Sequence, residues 1–381
     1  MKLFFSRHLF FAIVFVLIAA CSIAQVNDPS FIIGDALPDA PELSPRGDYQ
    51  IGVRTLELVN TNQVDILNSK AGIDAMYDRH LKIEVWYPAI IQQHKTALVT
   101  YSSTLGLYKD PTRPLTPFTF TGRALRDAAP LNTAGKFPLI IVSHGYPGSR
   151  LLMTYLTENL ASKGYVVVAI DHTESTYSDR GAFQSTLLNR AKDILFVLNQ
   201  VADLSKPGSK NFLANLADAD NTGLIGYSMG GYGVLNAAGA GYSSKLGAAF
   251  EKMAGGSKAI DVRLANNEAF KASQDKRIKA VVAFAPWGMQ LGVWDSAGLS
   301  GLKIPVFFVA GSLDDVSGYK DGIKAIYEGA ANANRYLLTY ENARHNVAPN
   351  PPPAASLKAG IAFAESSCSL AQTISGATTS G

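Results

Sequence analysis

Residues 223–238, Gly-Leu-Ile-Gly-Tyr-Ser-Met-Gly-Gly-Tyr-Gly-Val-Leu-Asn-Ala-Ala, decide the fold. The first five form a short apolar run and the last six suit a helix, so the chain must turn sharply between them at Ser228. Gly226-Tyr227-Ser228-Met229-Gly230 matches G-x-S-x-G, the nucleophile-elbow pattern. Such a turn strains the serine backbone, and glycines two residues to either side leave room for it. The following helix N-terminus favours negative charge on Ser228 and on a bound oxyanion. Alone the pentapeptide is a weak signal; between a strand and a helix it carries weight.

Working outward, the same kind of apolar run recurs as PLIIV (138–142), YVVVAI (165–170), AVVAFA (280–285), PVFFVA (305–310) and RYLLTY (335–340). Runs apolar on both faces, alternating with amphipathic stretches such as 151–160 and 186–201, predict a mostly parallel central sheet with helices on both faces. The fold class is α/β. Two alternating segments upstream, Tyr49 to Val59 and Leu81 to Pro88, read as an N-terminal antiparallel strand pair. Residues 47–368 are expected to form a single domain. Insertions are expected near 89–136, read as a long irregular excursion and a candidate cap, and near 239–276, read as a lid with one helix. Residues 369–381 are small and polar and read as a flexible tail.

An elbow serine needs a base and an acid, which in this arrangement follow it in the order serine, acid, histidine. Of six histidines only His345 lies after Ser228, in the loop after RYLLTY. Between them, Asp261, Asp275, Asp295, Asp314 and Asp315 are candidate acids. Asp314 is preferred because it lies just past PVFFVA, and catalytic groups collect at the carboxyl ends of parallel strands. Asp315 or Ser317 suits a helix cap better. Oxyanion donors are expected from the Met229 N–H and from the loop Ser143-His144-Gly145-Tyr146-Pro147-Gly148, where Tyr146 is assigned. His144 is expected to brace that loop by hydrogen bonding.

SHGYPGSR (143–150), LASKGYVVVAIDH (160–172) and GYSMGG (226–231) together resemble the platelet-activating-factor acetylhydrolase and dienelactone-hydrolase-like branch of the α/β-hydrolases. The likeness covers roughly residues 47–350. It implies the α/β-hydrolase fold, a serine esterase working through an acyl-enzyme, and oxyanion donors at Tyr146 and Met229. The dienelactone hydrolases proper use cysteine where this chain has Ser228, so lactone activity is not implied. GYSMGG and the later APWG also resemble bacterial polyester hydrolases and cutinases, which implies that Trp287 holds aromatic substrate. The alternative for Trp287 is packing beside the sheet end, and the His-Gly loop weighs against the polyesterase reading.

Lys2 and Arg7 precede an apolar run from Leu9 to Ala20, the pattern of an export signal over 1–24. Two processing routes stay open: lipidation of Cys21 after Ile18-Ala19-Ala20, giving a signal of 1–20 and a membrane-anchored lipoprotein, or cleavage near Ala24, giving a periplasmic or extracellular protein. The 34 Lys and Arg, less those two, leave 32 against 31 Asp and Glu, which provides no field for nucleic acid. With Cys21 lipidated or removed, Cys368 has no partner for a disulfide. No phosphate loop, dinucleotide fingerprint or zinc spacing occurs, so no cofactor or metal is expected, and Asp171-His172-Thr173-Glu174 reads as a hydrogen-bond network. Three functions fit these features: an esterase, an amidase or peptidase with the same groups, and a scaffold without catalysis. Retention of serine, acid, histidine and both oxyanion loops argues against the scaffold.

Overall fold

The computed structural model describes residues 32–36, 40–92, 97–133 and 135–351. The export signal, Cys21, Cys368 and the tail 369–381 lie outside the described residues. A ten-stranded sheet dominates, in the order β12-β11-β10-β9-β7-β8-β2-β1-β5, with β6 on β2. Its central members are β7 (Phe137–Ser143), β8 (Val166–Asp171), β9 (Ala217–Tyr227), β10 (Ile278–Phe284), β11 (Val306–Gly311) and β12 (Arg335–Tyr340), all parallel. β1 (Ile51–Lys70) and β2 (Ile73–Ile90) are antiparallel to each other, and β2 joins β8 antiparallel. Short β5 (Leu125–Arg126) and β6 (Ala129–Pro130) complete it. The mostly parallel sheet and the N-terminal antiparallel pair are as expected.

Helix placement follows from strand order. From β7 the chain steps to β8 through α1 (Thr154–Ser162), then returns past β7 to β9 through α2 (Phe183–Leu204). Parallel crossovers are right-handed, so reversing direction puts α1 and α2 on opposite faces. α3 (Met229–Ala237) continues in the direction of α2 and packs against it. Val166, Val167, Val168, Ala169 and Ile170 of β8 are all buried, which is why that run shows no alternation. Burying each such valine or isoleucine contributes about 1.5–3 kcal/mol.

The reversal also positions the site. β7 and β9 are adjacent although β8 separates them in sequence, so the loops after them meet at the carboxyl edge where strand order switches. Crevices form at that point of an open α/β sheet.

The two inserted regions differ from the expectation in detail. Residues 89–136 contain a second sheet, β3 (Val99–Leu105) paired antiparallel with β4 (Thr116–Gly122). Tyr101 of β3 ties it to the body, accepting from Trp86 Nε1 at 2.7 Å and donating to Glu158 of α1 at 2.8 Å. Residues 239–276 hold two helices, α4 (Ser244–Met253) and α5 (Glu268–Ala272). The β1–β2 hairpin is longer than its apolar pattern, and its tip reaches this segment through Gly72 N–H to Gly255 O at 3.1 Å and Ser257 Oγ to Asp74 at 2.6 Å.

Candidate active site

Ser228 stands between β9 and α3 with φ 54° and ψ −113°. The left-handed φ is costly for serine, and the tight turn is held by Ser228 N–H to Phe284 O at 2.8 Å and by Tyr232 N–H to Ser228 O at 3.1 Å. The flanking glycines are steric necessities. A Cβ on Gly226 would lie 2.3 Å from Gly230 O, and one on Gly230 would lie 1.9 Å from Ser143 O. The second approach lets α3 sit close against the end of β7.

Three side chains separated widely in sequence converge here. Ser228 Oγ lies 2.9 Å from His345 Nε2, and His345 Nδ1 lies 2.9 and 3.1 Å from the carboxylate oxygens of Asp314. Ser228 and His345 are each 8% exposed and Asp314 6%, so all three are largely shielded from solvent. Asp314 Oδ1 also accepts the Val316 and Ser317 N–H groups at 2.9 and 2.8 Å. The local capping role expected of Asp315 or Ser317 therefore belongs to Asp314. Asp315 instead pairs with Arg344 at the surface.

On the other side lies the loop 143–148 after β7. Met229 opens α3, so its N–H has no partner within the helix. Tyr146 borders the same opening. His172 N–H donates to His144 Nε2 at 3.2 Å, so the His144 proton sits on Nδ1 and is donated to Gly145 O at 2.6 Å. Burial pushes His144 well below the usual imidazole range, and the nearby Arg190 adds to this, so the ring is neutral.

A cavity of about 290 Å³ opens beside Ser228 and His345, lined by Tyr146, Leu152, Tyr177, Tyr227, Val316 and Asn346 among others. Trp287 does not line it. Its backbone N–H donates to Ser228 O at 3.1 Å, and its ring makes a T-shaped contact with Phe183 at 5.1 Å, which in turn meets Tyr146 at 5.2 Å. Among the described residues no three His, Cys, Asp or Glu side chains are grouped to hold a metal.

These loops hang from a parallel sheet by a strand–serine–helix elbow at the point where strand order reverses. The chain has the α/β-hydrolase fold. A family model described as PET hydrolase-like matches residues 120–259, the stretch from β4 into 239–276 that includes the elbow of this hydrolase fold. Cutinase est1 of Thermobifida alba is 24% identical over 212 residues, 55% of this chain and 54% of that protein. Platelet-activating factor acetylhydrolase of Canis lupus familiaris is 26% identical over 220 residues, covering 48% and 41%. The chain spans about half the length of the curated relatives it matches. A ferulic acid esterase from Streptomyces cinnamoneus aligns in structure with a TM-score of 0.47 and 22% identity, covering 77% of this chain and 74% of that one.

Several residues near the site escaped the sequence reading. The Tyr227 ring lies 5.3 Å from that of His345, and its hydroxyl donates to Asn346 at 2.6 Å, tying down the residue after His345. Arg190 and Asp193 of α2 are buried among apolar side chains. A signal for these two was present: Arg190 stands three residues after Leu187 and four before Ile194, on the stripe that helical periodicity assigns to the core.

Proposed function

We propose that the chain is a serine hydrolase of carboxylic esters, with Ser228 as nucleophile, His345 as base and Asp314 as the orienting carboxylate. The contact of Ser228 Oγ with His345 Nε2 at 2.9 Å carries this reading. His345 takes the hydroxyl proton as Ser228 attacks the ester carbon, then returns it to the leaving alcohol; water resolves the acyl-enzyme by the same route. Asp314 fixes the His345 proton on Nδ1, leaving Nε2 free to accept, and stabilises the imidazolium. The Met229 and Tyr146 N–H groups receive the oxyanion.

Ester is preferred to amide because the curated relatives it matches include cutinases and an acetylhydrolase. Within the esters, the match to a PET hydrolase-like model favours a polymeric or aromatic ester as the second reading. Export, with either a free or a Cys21-lipidated terminus, is part of the proposal. A panel of p-nitrophenyl esters of increasing acyl length, with a p-nitroanilide alongside, tests it: turnover of the esters is expected, and preference for the anilide would replace esterase with amidase.

A further inference from the structure

Directly behind the loop that carries Tyr146 lies a buried guanidinium. Arg190 of α2 is 1% exposed and donates from Nη1 to His144 O at 2.7 Å and from Nη2 to Gly145 O at 3.4 Å; Nη2 also meets Ser175 Oγ. Among the described residues no carboxylate is within ion-pair distance of it. Asp193, one turn along, is held instead by both Nε and Nη2 of Arg79, at 2.8 and 2.9 Å, and by His172 Nδ1 at 2.9 Å. His172 in turn accepts from Ser143 Oγ through Nε2 at 2.9 Å. Ser143, His172 and Asp193 repeat the order of groups found at Ser228, but Ser143 is wholly buried and reaches no substrate. That cluster anchors the end of β7 and leaves the Arg190 charge directed at the loop.

Gly145 O belongs to the same peptide unit as the Tyr146 N–H. Two donors already bind that oxygen: His144 Nδ1–H at 2.6 Å and Arg190 Nη2 at 3.4 Å. Donors on a carbonyl draw electron density through the amide and make its N–H a stronger donor, an effect enhanced where the dielectric is low. They also fix the plane of the peptide, and with it the direction of the N–H.

We propose that Arg190 is a positioning residue for the oxyanion donor at Tyr146, acting through the Gly145 carbonyl without touching substrate. The inference rests on the serine-hydrolase reading. Burial pushes Arg190 down to about 9, against the pull of Asp193, so it remains cationic at neutral pH, and its field favours negative charge on the far side of the Gly145–Tyr146 peptide. A buried cation is costly to folding; Asp193 offsets part of that cost here, and an oxyanion beside Tyr146 would offset more.

The test compares Arg190→Met with the full-length parent on p-nitrophenyl acetate and on an alkyl trifluoromethyl ketone. Ser228 adds to the ketone carbon, its proton passes to His345, and the carbonyl oxygen becomes an oxyanion, so ketone affinity reports the hole. The expected result is a kcat lower by about 10- to 100-fold with KM changed less than about twofold, and ketone affinity lower by the same factor as kcat. Arg190→Gln keeps one neutral donor for His144 O; it serves if the methionine variant fails to fold, and the same parallel loss is expected. In a folded variant, unchanged kcat, or a kcat loss without a matching loss of ketone affinity, overturns the inference. Parent hydrolysis that survives Ser228→Ala overturns the reading beneath it instead.

Discussion

The Asp314 carboxylate faces His345 Nδ1 at 2.9 Å, while its neighbour Asp315 turns outward onto Arg344. One residue of sequence thus separates a buried carboxylate on His345 from a surface ion pair. Asp314→Asn is expected to lower kcat by roughly 10³- to 10⁴-fold, because an amide cannot hold His345 in the accepting tautomer. Asp315→Asn removes only a solvent-screened surface pair and is expected to leave kcat unchanged. Kinetics on the two variants side by side check this; activity lost on Asp315→Asn instead would move the acid by one position.

Stability is expected to fall with acidification before the carboxylates titrate. Burial, reinforced by Arg190, pushes His172 from the ordinary 6.5 down to about 3, although Asp193 and the hydrogen bond to it pull upward. The unfolded chain therefore binds a proton that the native state refuses between these values. The stabilisation is complete above about pH 6.5 and is lost as pH falls toward 3, at about 1.4 kcal/mol per pH unit. His144 shifts the same way. Thermal melts between pH 7 and 5 should show Tm falling, and His172→Gln should flatten the slope. A parent Tm independent of pH across that range contradicts the buried neutral pair.

Leu152 lines the cavity beside Ser228, so Leu152→Trp should narrow it. We expect kcat/KM for a long-chain or aromatic ester to fall about tenfold relative to acetate, the order of selectivity that a few methylenes provide in an apolar pocket. Equal losses on all esters would place the substrate elsewhere.

Cys21 lies outside the described residues, and its role is settled by fractionation. A lipidated protein sediments with membranes, and Cys21→Ser should release it. Unchanged fractionation with the same mature mass would favour cleavage near Ala24.

Most of the fold was legible because its signals are local. β8 reads as Tyr165 to Ile170 in sequence and runs Val166–Asp171 in the structure, since burial on both faces demands an unbroken apolar run. The β1–β2 extension was not legible: Asn60, Thr61, Asn62 and Gln63 face solvent and make no alternation, so only pairing extends the hairpin there. Residues 97–122 likewise form a hairpin through tertiary contacts such as Tyr101 with Trp86 and Glu158, which short-range pattern does not encode. At the site, Ser228, Asp314 and His345 each lie at the end of a readable strand, and strand order brings them together. Arg190 and Asp193 were hidden because their partners, on β2 and after β7 and β8, are distant in sequence. A charge on an apolar stripe marked that something was there without naming it.

An activated Ser228 should react covalently with a phosphonate electrophile and be indispensable for turnover. The most direct measurement is turnover of p-nitrophenyl acetate by purified parent and Ser228→Ala, with intact-mass detection of a fluorophosphonate adduct on each. One adduct on the parent, none on the variant, and a loss of kcat on the order of 10⁶ in a variant with unchanged circular dichroism are expected. A folded Ser228→Ala that keeps even about a tenth of the activity, or takes up the label, would contradict an activated Ser228.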